Sequence, residues 1–197
     1  MALGSNLAGV RGGPAAQVER ALDLVAALGC HAAKSRLWRS PAWPPGGPPY
    51  VNAALLLGTG LPPEALLDRL HGIEAAFGRE RGARWAARTL DLDLLAVDGL
   101  VLPDGGVQAR WRGLDPARQG REAPERLILP HPRLQDRAFV LLPLREVAPR
   151  WRHPLLGLDA GEMLARLPPG AAEGVEPLEP PPETLPDAPL AKGGPAR

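Results

Sequence analysis

The chain has 197 residues, 45% of them hydrophobic, enough for one domain with a substantial core. Its 23 basic and 22 acidic residues leave a formal charge of +1, so no broad field selects nucleic acid or an anionic membrane, and any polyanion site has to be local. A lone cysteine, Cys30, excludes an internal disulfide and a cysteine-rich metal site; with no basic-then-apolar leader and no run of about 18 apolar residues, a soluble cytoplasmic protein is expected.

In chain order, residues 14–29 open on Pro14, place Val18, Ala21, Leu22, Val25 and Leu28 at helical spacing, and stop at Gly29, which predicts an amphipathic helix. Residues 34–43 read as a strand entering a loop, since positions 41–49 hold five prolines and two glycines. "YVNAALLLGTG" reads as a buried strand, and "PPEALLDRLHGIEAAFG" as a second helix, opened by proline and closed by Gly78. Residues 79–88 break both periodicities and carry Arg79, Arg81, Arg84 and Arg88, so a loop leads into a strand at 89–97. Residues 103–124 form a polar insertion with weak helical character near 107–120; a turn at Pro130–Pro132 and a helix over about 134–147 follow. From Pro168 on, nine of thirty residues are proline, which predicts a disordered tail at 168–197 after a domain spanning 1–167.

This order lacks the strict strand–helix alternation of a doubly wound sheet. It suits an α/β (α+β) sandwich of ferredoxin-like type, a mainly antiparallel sheet with helices packed on it. "MALGSN" leaves only three residues for the strand that delivers Gly4-Ser5, which predicts a natural start further upstream.

Within "RTLDLDLLAV", Asp91 and Asp93 share one strand face about 7 Å apart, with Leu90, Leu92 and Leu94 opposite; in a helix the two acids sit about 200° apart. Paired carboxylates repel and are costly to desolvate, so a chain keeps them where a cation or water lies between them. Mg²⁺ shared with phosphate oxygens fits such a pair, and the arginines upstream fit a polyphosphate beside it. For a bare D-x-D a solvated acidic face, or acids paired with those arginines, is the commoner reading; the arginines just upstream are what favour the metal. Neither a P-loop nor a Gly-rich dinucleotide turn is present, and Gly4-Ser5 stands too far from Asp91 for the usual nucleotidyltransferase spacing.

Four strings together, "LGSNL", "SPAWPPGGPPYVNAAL", "IEAAFGRERGARWAARTLDLDLL" and "LILPHPRLQDRAFVLLPLREVAP", resemble the 6-hydroxymethyl-7,8-dihydropterin pyrophosphokinase family of folate biosynthesis over about residues 2–166. The resemblance implies diphosphoryl transfer from ATP to the pterin hydroxymethyl group, giving AMP, in a monomeric protein. It implies two Mg²⁺ ions on Asp91 and Asp93, and Arg79 and Arg88 on a loop closing over the phosphates. For ATP it points to His71, Glu74, Arg81, Trp85, Arg88, Arg126, His131 and Arg137, with the role of His71 open. For the pterin it points to Tyr50 and Phe139 as stacking faces, Asn52 on the heterocycle edge, Ser40, Pro41 and Trp43 in the recognition loop, and Trp85 folding over the site. Ala86-Ala87 stand where the family commonly has Gly-Pro, and Pro132 where some relatives have tyrosine. A catalytically inactive pterin- or nucleotide-binding relative is the alternative; an RNA-binding module fits poorly with the balanced charge.

Overall fold

The computed structural model describes residues 1–9, 12–42, 45–78, 89–115, 118 and 121–178. The strand β4, Tyr50–Gly58, organises the sheet because both its edges are used. β1 (Ala2–Ser5) lies antiparallel along one edge, with Ala2 opposite Ala54 and Gly4 opposite Asn52. It also pairs on its other side with β5 (Asp91–Asp93), so four residues suffice for a strand held on both edges.

Along the other edge of β4 run β2 (His31–Lys34) and β3 (Trp38–Ser40). One strand was expected there; it is split because the register steps by one residue between the Lys34–Leu55 and Trp38–Asn52 pairs. Such a step is a β-bulge. It centres on Ser35, whose N–H donates to Ala54 O (2.9 Å) while its Oγ accepts from Ala54 N (2.8 Å).

The prolines expected to leave the chain disordered from Pro168 do not do so at once: β6 (Glu176–Pro177) pairs with β3. Leu178 N donates to Leu37 O (2.9 Å) and Arg39 Nε to Glu176 Oε1 (3.1 Å), so main-chain pairing and one ion pair hold an edge strand that tolerates proline. Residues 179–197 lie outside the described residues. Among the described residues the sheet order is β5-β1-β4-β3-β6, every pairing antiparallel, in agreement with the expected α+β sandwich.

Helices cover both faces. On one, α1 (Pro14–Ala26) and α2 (Pro63–Ala76) bury Val18, Leu22, Val25, Leu66 and Leu70 against Leu3, Val51, Ala53, Leu55, Leu90, Leu92 and Leu94. α1 ends short of Gly29, where Cys30 N donates to Gly58 O; a Cβ on Gly29 would meet Gly58 O at 2.3 Å, so only glycine allows the helix to turn into β2 there. On the opposite face, α4 (Ala138–Val147) and α5 (Ala160–Leu164) build a second cluster with Leu95, Leu134 and Leu141. The insertion contributes α3 (Gly105–Arg112), capped by Asp104, whose side chain accepts from Val107 N (2.8 Å). The helix expected over 134–147 is interrupted. A 3₁₀ turn spans Leu134–Asp136, and Arg137 is extended before α4 begins.

The orientation of β5 is settled by the α1/α2 side. Leu90, Leu92 and Leu94 are at most 4% exposed; burying each is worth about 1.5–3 kcal/mol. A slip of one residue would bury the aspartates instead. Glu74 on α2, itself 3% exposed, accepts from Leu92 N through Oε1 (2.7 Å), which satisfies a buried edge N–H and locks the strand to the helix. Glu74→Ala leaves that N–H without its acceptor and should cost about 1–3 kcal/mol in urea unfolding, whereas Glu74→Gln, which keeps an acceptor, should cost less.

His153 is fully buried, and Leu155 N and Leu156 N donate to its Nδ1 (3.2 and 3.3 Å). Burial, reinforced by nearby Arg112, pushes its imidazole from 6.5 down to about 4. The unfolded chain therefore takes up this proton first, so the stability tied to neutral His153 is complete above pH 6.5 and is lost as pH falls towards about 4. Denaturant unfolding at stepped pH should show that decline, and His153→Asn should flatten it.

Candidate functional site

The register sets two rows of side chains across the sheet. Asp91, Gly4 and Asn52 are mutually opposite, as are Asp93, Ala2 and Ala54. Residues paired across strands share a face, so both acids stand on the side away from the leucines. Between Asp91 and Asn52 lie two strand spacings, roughly 10 Å. Gly4, opposite both, puts no side chain into that gap. The result is a trough opening into a cavity of about 1080 Å³, with Asp91 and Asp93 in its wall. That volume suits a nucleotide and a second ring system together.

At the β3/β4 end the cavity is lined by Ser40, Pro41, Tyr50, Asn52 and Phe139, as the sequence predicted for one ligand. Asn52 is buried, and its Nδ2 donates to Ser40 Oγ (2.9 Å), which fixes the plane of the amide. Ser40 thus acts through its hydroxyl on Asn52, a role that its place in the loop motif did not reveal. Asn6 Nδ2 donates to Pro48 O (3.3 Å) and ties the proline-rich loop to the end of β1.

Beside the acids stand two basic groups. The break before α4 puts the Arg137 guanidinium 3.8 Å from Asp93 and over the Phe139 ring, 5.7 Å from its centroid. His131 follows the cis Leu129–Pro130 bond, and its N–H donates to Leu95 O (2.7 Å), just past β5. Burial is the main cause that pushes its imidazole down to about 4; Asp93 opposes that, while Arg137 and Arg133 add to it. Nδ1 accepts from Arg133 N (3.2 Å), so the neutral ring keeps its proton on Nε2 as a donor.

The far end is lined by His71 and Arg126, as predicted, and by groups that sequence reasoning missed. Chief among these are Trp111 and Leu114, from the polar insertion at 103–124; a single indole within a polar segment was the available signal. Glu74, expected at the nucleotide, is not in the cavity wall, since its carboxylate is turned to Leu92 N. Trp43, Arg79, Arg81, Trp85 and Arg88 lie outside the described residues.

Among the described residues no group of three or more His, Cys, Asp or Glu is placed to hold a metal by itself. Two half-buried carboxylates facing a cavity fit a hard cation that takes its remaining oxygens from phosphate and water, which is the habit of Mg²⁺. The arrangement thus offers a ring-stacking end, a carboxylate pair with an arginine and a histidine donor, and a second end that is partly apolar.

A family model described as 7,8-dihydro-6-hydroxymethylpterin-pyrophosphokinase matches residues 1–149. The chain is 36% identical over 179 residues to a protein of Methylorubrum extorquens, covering 89% of this chain and 97% of that one. It is 39% identical over 181 residues to a protein of Pseudomonas aeruginosa, covering 90% and 94%. Both relatives are named 2-amino-4-hydroxy-6-hydroxymethyldihydropteridine pyrophosphokinase. With a trough of this shape and a match over this length, the chain belongs to the 7,8-dihydro-6-hydroxymethylpterin-pyrophosphokinase family.

Proposed function

We propose that the protein transfers the terminal diphosphoryl group of ATP to the hydroxymethyl oxygen of 6-hydroxymethyl-7,8-dihydropterin in folate biosynthesis, releasing AMP. The observation that carries this reading is that Asp91 and Asp93 stand in the wall of one cavity that Tyr50, Asn52 and Phe139, and also His71, Arg126 and Trp111, line with them. A substrate at each end brings its reacting atoms to the acids. In the transfer the pterin oxygen bonds to the β-phosphorus, the bond from that phosphorus to the α,β-bridging oxygen breaks, AMP keeps that oxygen, and the hydroxyl proton leaves.

Positioning and charge stabilisation do most of the work in such a reaction. Tyr50 and Phe139 hold the pterin ring between them, and Asn52, held by Ser40, reads its amide-like edge. Asp91 and Asp93 would hold Mg²⁺, two ions in the full site, which when bound neutralise phosphate charge and favour loss of the hydroxyl proton. Arg137 and the Nε2 proton of neutral His131 supply phosphate donors, and His71 and Arg126 belong to the nucleotide end. Arg79, Arg81, Trp85 and Arg88 are assigned to the closing loop and Trp43 to the pterin loop, on the motif alone. The protein acts as a monomer in the cytoplasm, on small molecules; the lone, exposed Cys30 suits a reducing compartment.

A silent binder needs no carboxylates presented to the cavity, whereas Asp91 and Asp93 both line it. Purified protein with ATP, Mg²⁺ and the reduced pterin should yield AMP; ADP as the product would identify an ordinary kinase and overturn the reading. Asp93→Ala should lower AMP formation roughly a thousandfold, with an unchanged circular dichroism spectrum. Near-normal turnover of that variant would remove the acids from the mechanism.

A further inference from the structure

We propose that Trp111, carried to the cavity by the insertion at 103–124, is the aromatic platform for the purine base of the nucleotide. This rests on the proposed ATP-dependent reaction and adds to it a binding residue that lies outside the motif blocks.

The insertion is built into the site wall. Leu102 and Leu129 pair through both main-chain bonds (2.9 and 3.1 Å), and the fully buried Gln108 donates from Nε2 to Pro130 O (3.1 Å), which fastens α3 to the stretch ending at His131. That stretch is bonded in turn to Leu95, just past β5, so α3 stands on the β5 side of the cavity, away from β3 and β4. Three residues on from Gln108, close to one helical turn, comes Trp111.

Its surroundings distinguish it from a packing tryptophan. Neither Trp111 nor Leu114 belongs to either apolar cluster of the core, yet both line the cavity, and the indole is only half-buried. In the same cavity wall Leu67 and Ile128 add apolar surface, and His71 and Arg126 add two polar side chains. A flat, largely apolar heterocycle with polar edges is the ligand such a wall recognises. The pterin already has its own two rings at Tyr50 and Phe139, with the acids between the two ends. A triphosphate lying along the acids therefore carries its base to Trp111.

Calorimetric titration with Mg²⁺ separates base recognition from everything else, using a non-hydrolysable ATP analogue and, in parallel, inorganic tripolyphosphate. Trp111→Ala should bind the analogue about tenfold more weakly, the usual scale for one lost base stack, with tripolyphosphate affinity unchanged, and Trp111→Phe should recover most of the loss. Unaltered analogue affinity in Trp111→Ala, or an equal loss for both ligands, would overturn the proposal while the ATP reading stands. Failure of the unmutated protein to bind the analogue would overturn both.

Discussion

Burial of Leu90, Leu92 and Leu94 beneath α1 and α2 decides where two carboxylates point, and the site depends on that decision. A strand with one apolar and one acidic face has a single acceptable orientation. The three leucines together outweigh the cost of holding two like charges side by side, because the acids keep access to the cavity while the leucines lose theirs to water. Glu74 makes the orientation stiff as well as favourable, since its bond to Leu92 N sits between the two acids on the chain. A negatively charged group thus supports the site from behind without entering it.

Two departures from regular structure do comparable work at the ends of the trough. The bulge at Ser35 shifts β3 by one residue relative to β2, and a one-residue shift reverses the face of every side chain beyond it. Through that shift Ser40 comes opposite Tyr50, where its hydroxyl meets Asn52. Across the sheet, the extended Arg137 interrupts what periodicity reads as one helix, and the interruption aims a guanidinium at Asp93. The two interruptions thus give the cavity an oriented Asn52 amide and the guanidinium beside Asp93.

Those departures mark the limit of what the sequence made legible. Hydrophobic period located α1, α2 and β4, and β5 within a longer expected strand at 89–97 of which only Asp91–Asp93 pairs; the alternation at 90–94 alone predicted which side the acids take, because burial acts on each residue independently of distant partners. The bulge carries no glycine or proline and arises from a bond between Ser35 and Ala54, nineteen residues apart, which no local pattern encodes. β6 is held chiefly by main-chain pairing, to which side-chain composition is nearly blind. Glu74 matched a motif position, but motif spacing does not reveal the bond that its carboxylate accepts from Leu92 N.

The segments that composition set aside, the polar insertion and the start of the proline-rich tail, close opposite ends of the same arrangement. α3 brings Trp111 to the cavity, while the strap before β6 runs against the proline-rich loop, where a Cβ on Gly174 would come within 3.0 Å of Pro41. Both attach at sheet margins by a few main-chain and polar bonds, whereas the acids are held by the core itself. Geometry is thus tightly fixed at the acids, and for the proposed transfer that matters, because an error there of about 1 Å would cost on the order of a hundredfold in rate. Contact with a ring depends on area and tolerates such an error, so a side chain on α3, which is fastened at the sheet margin, can contribute to it.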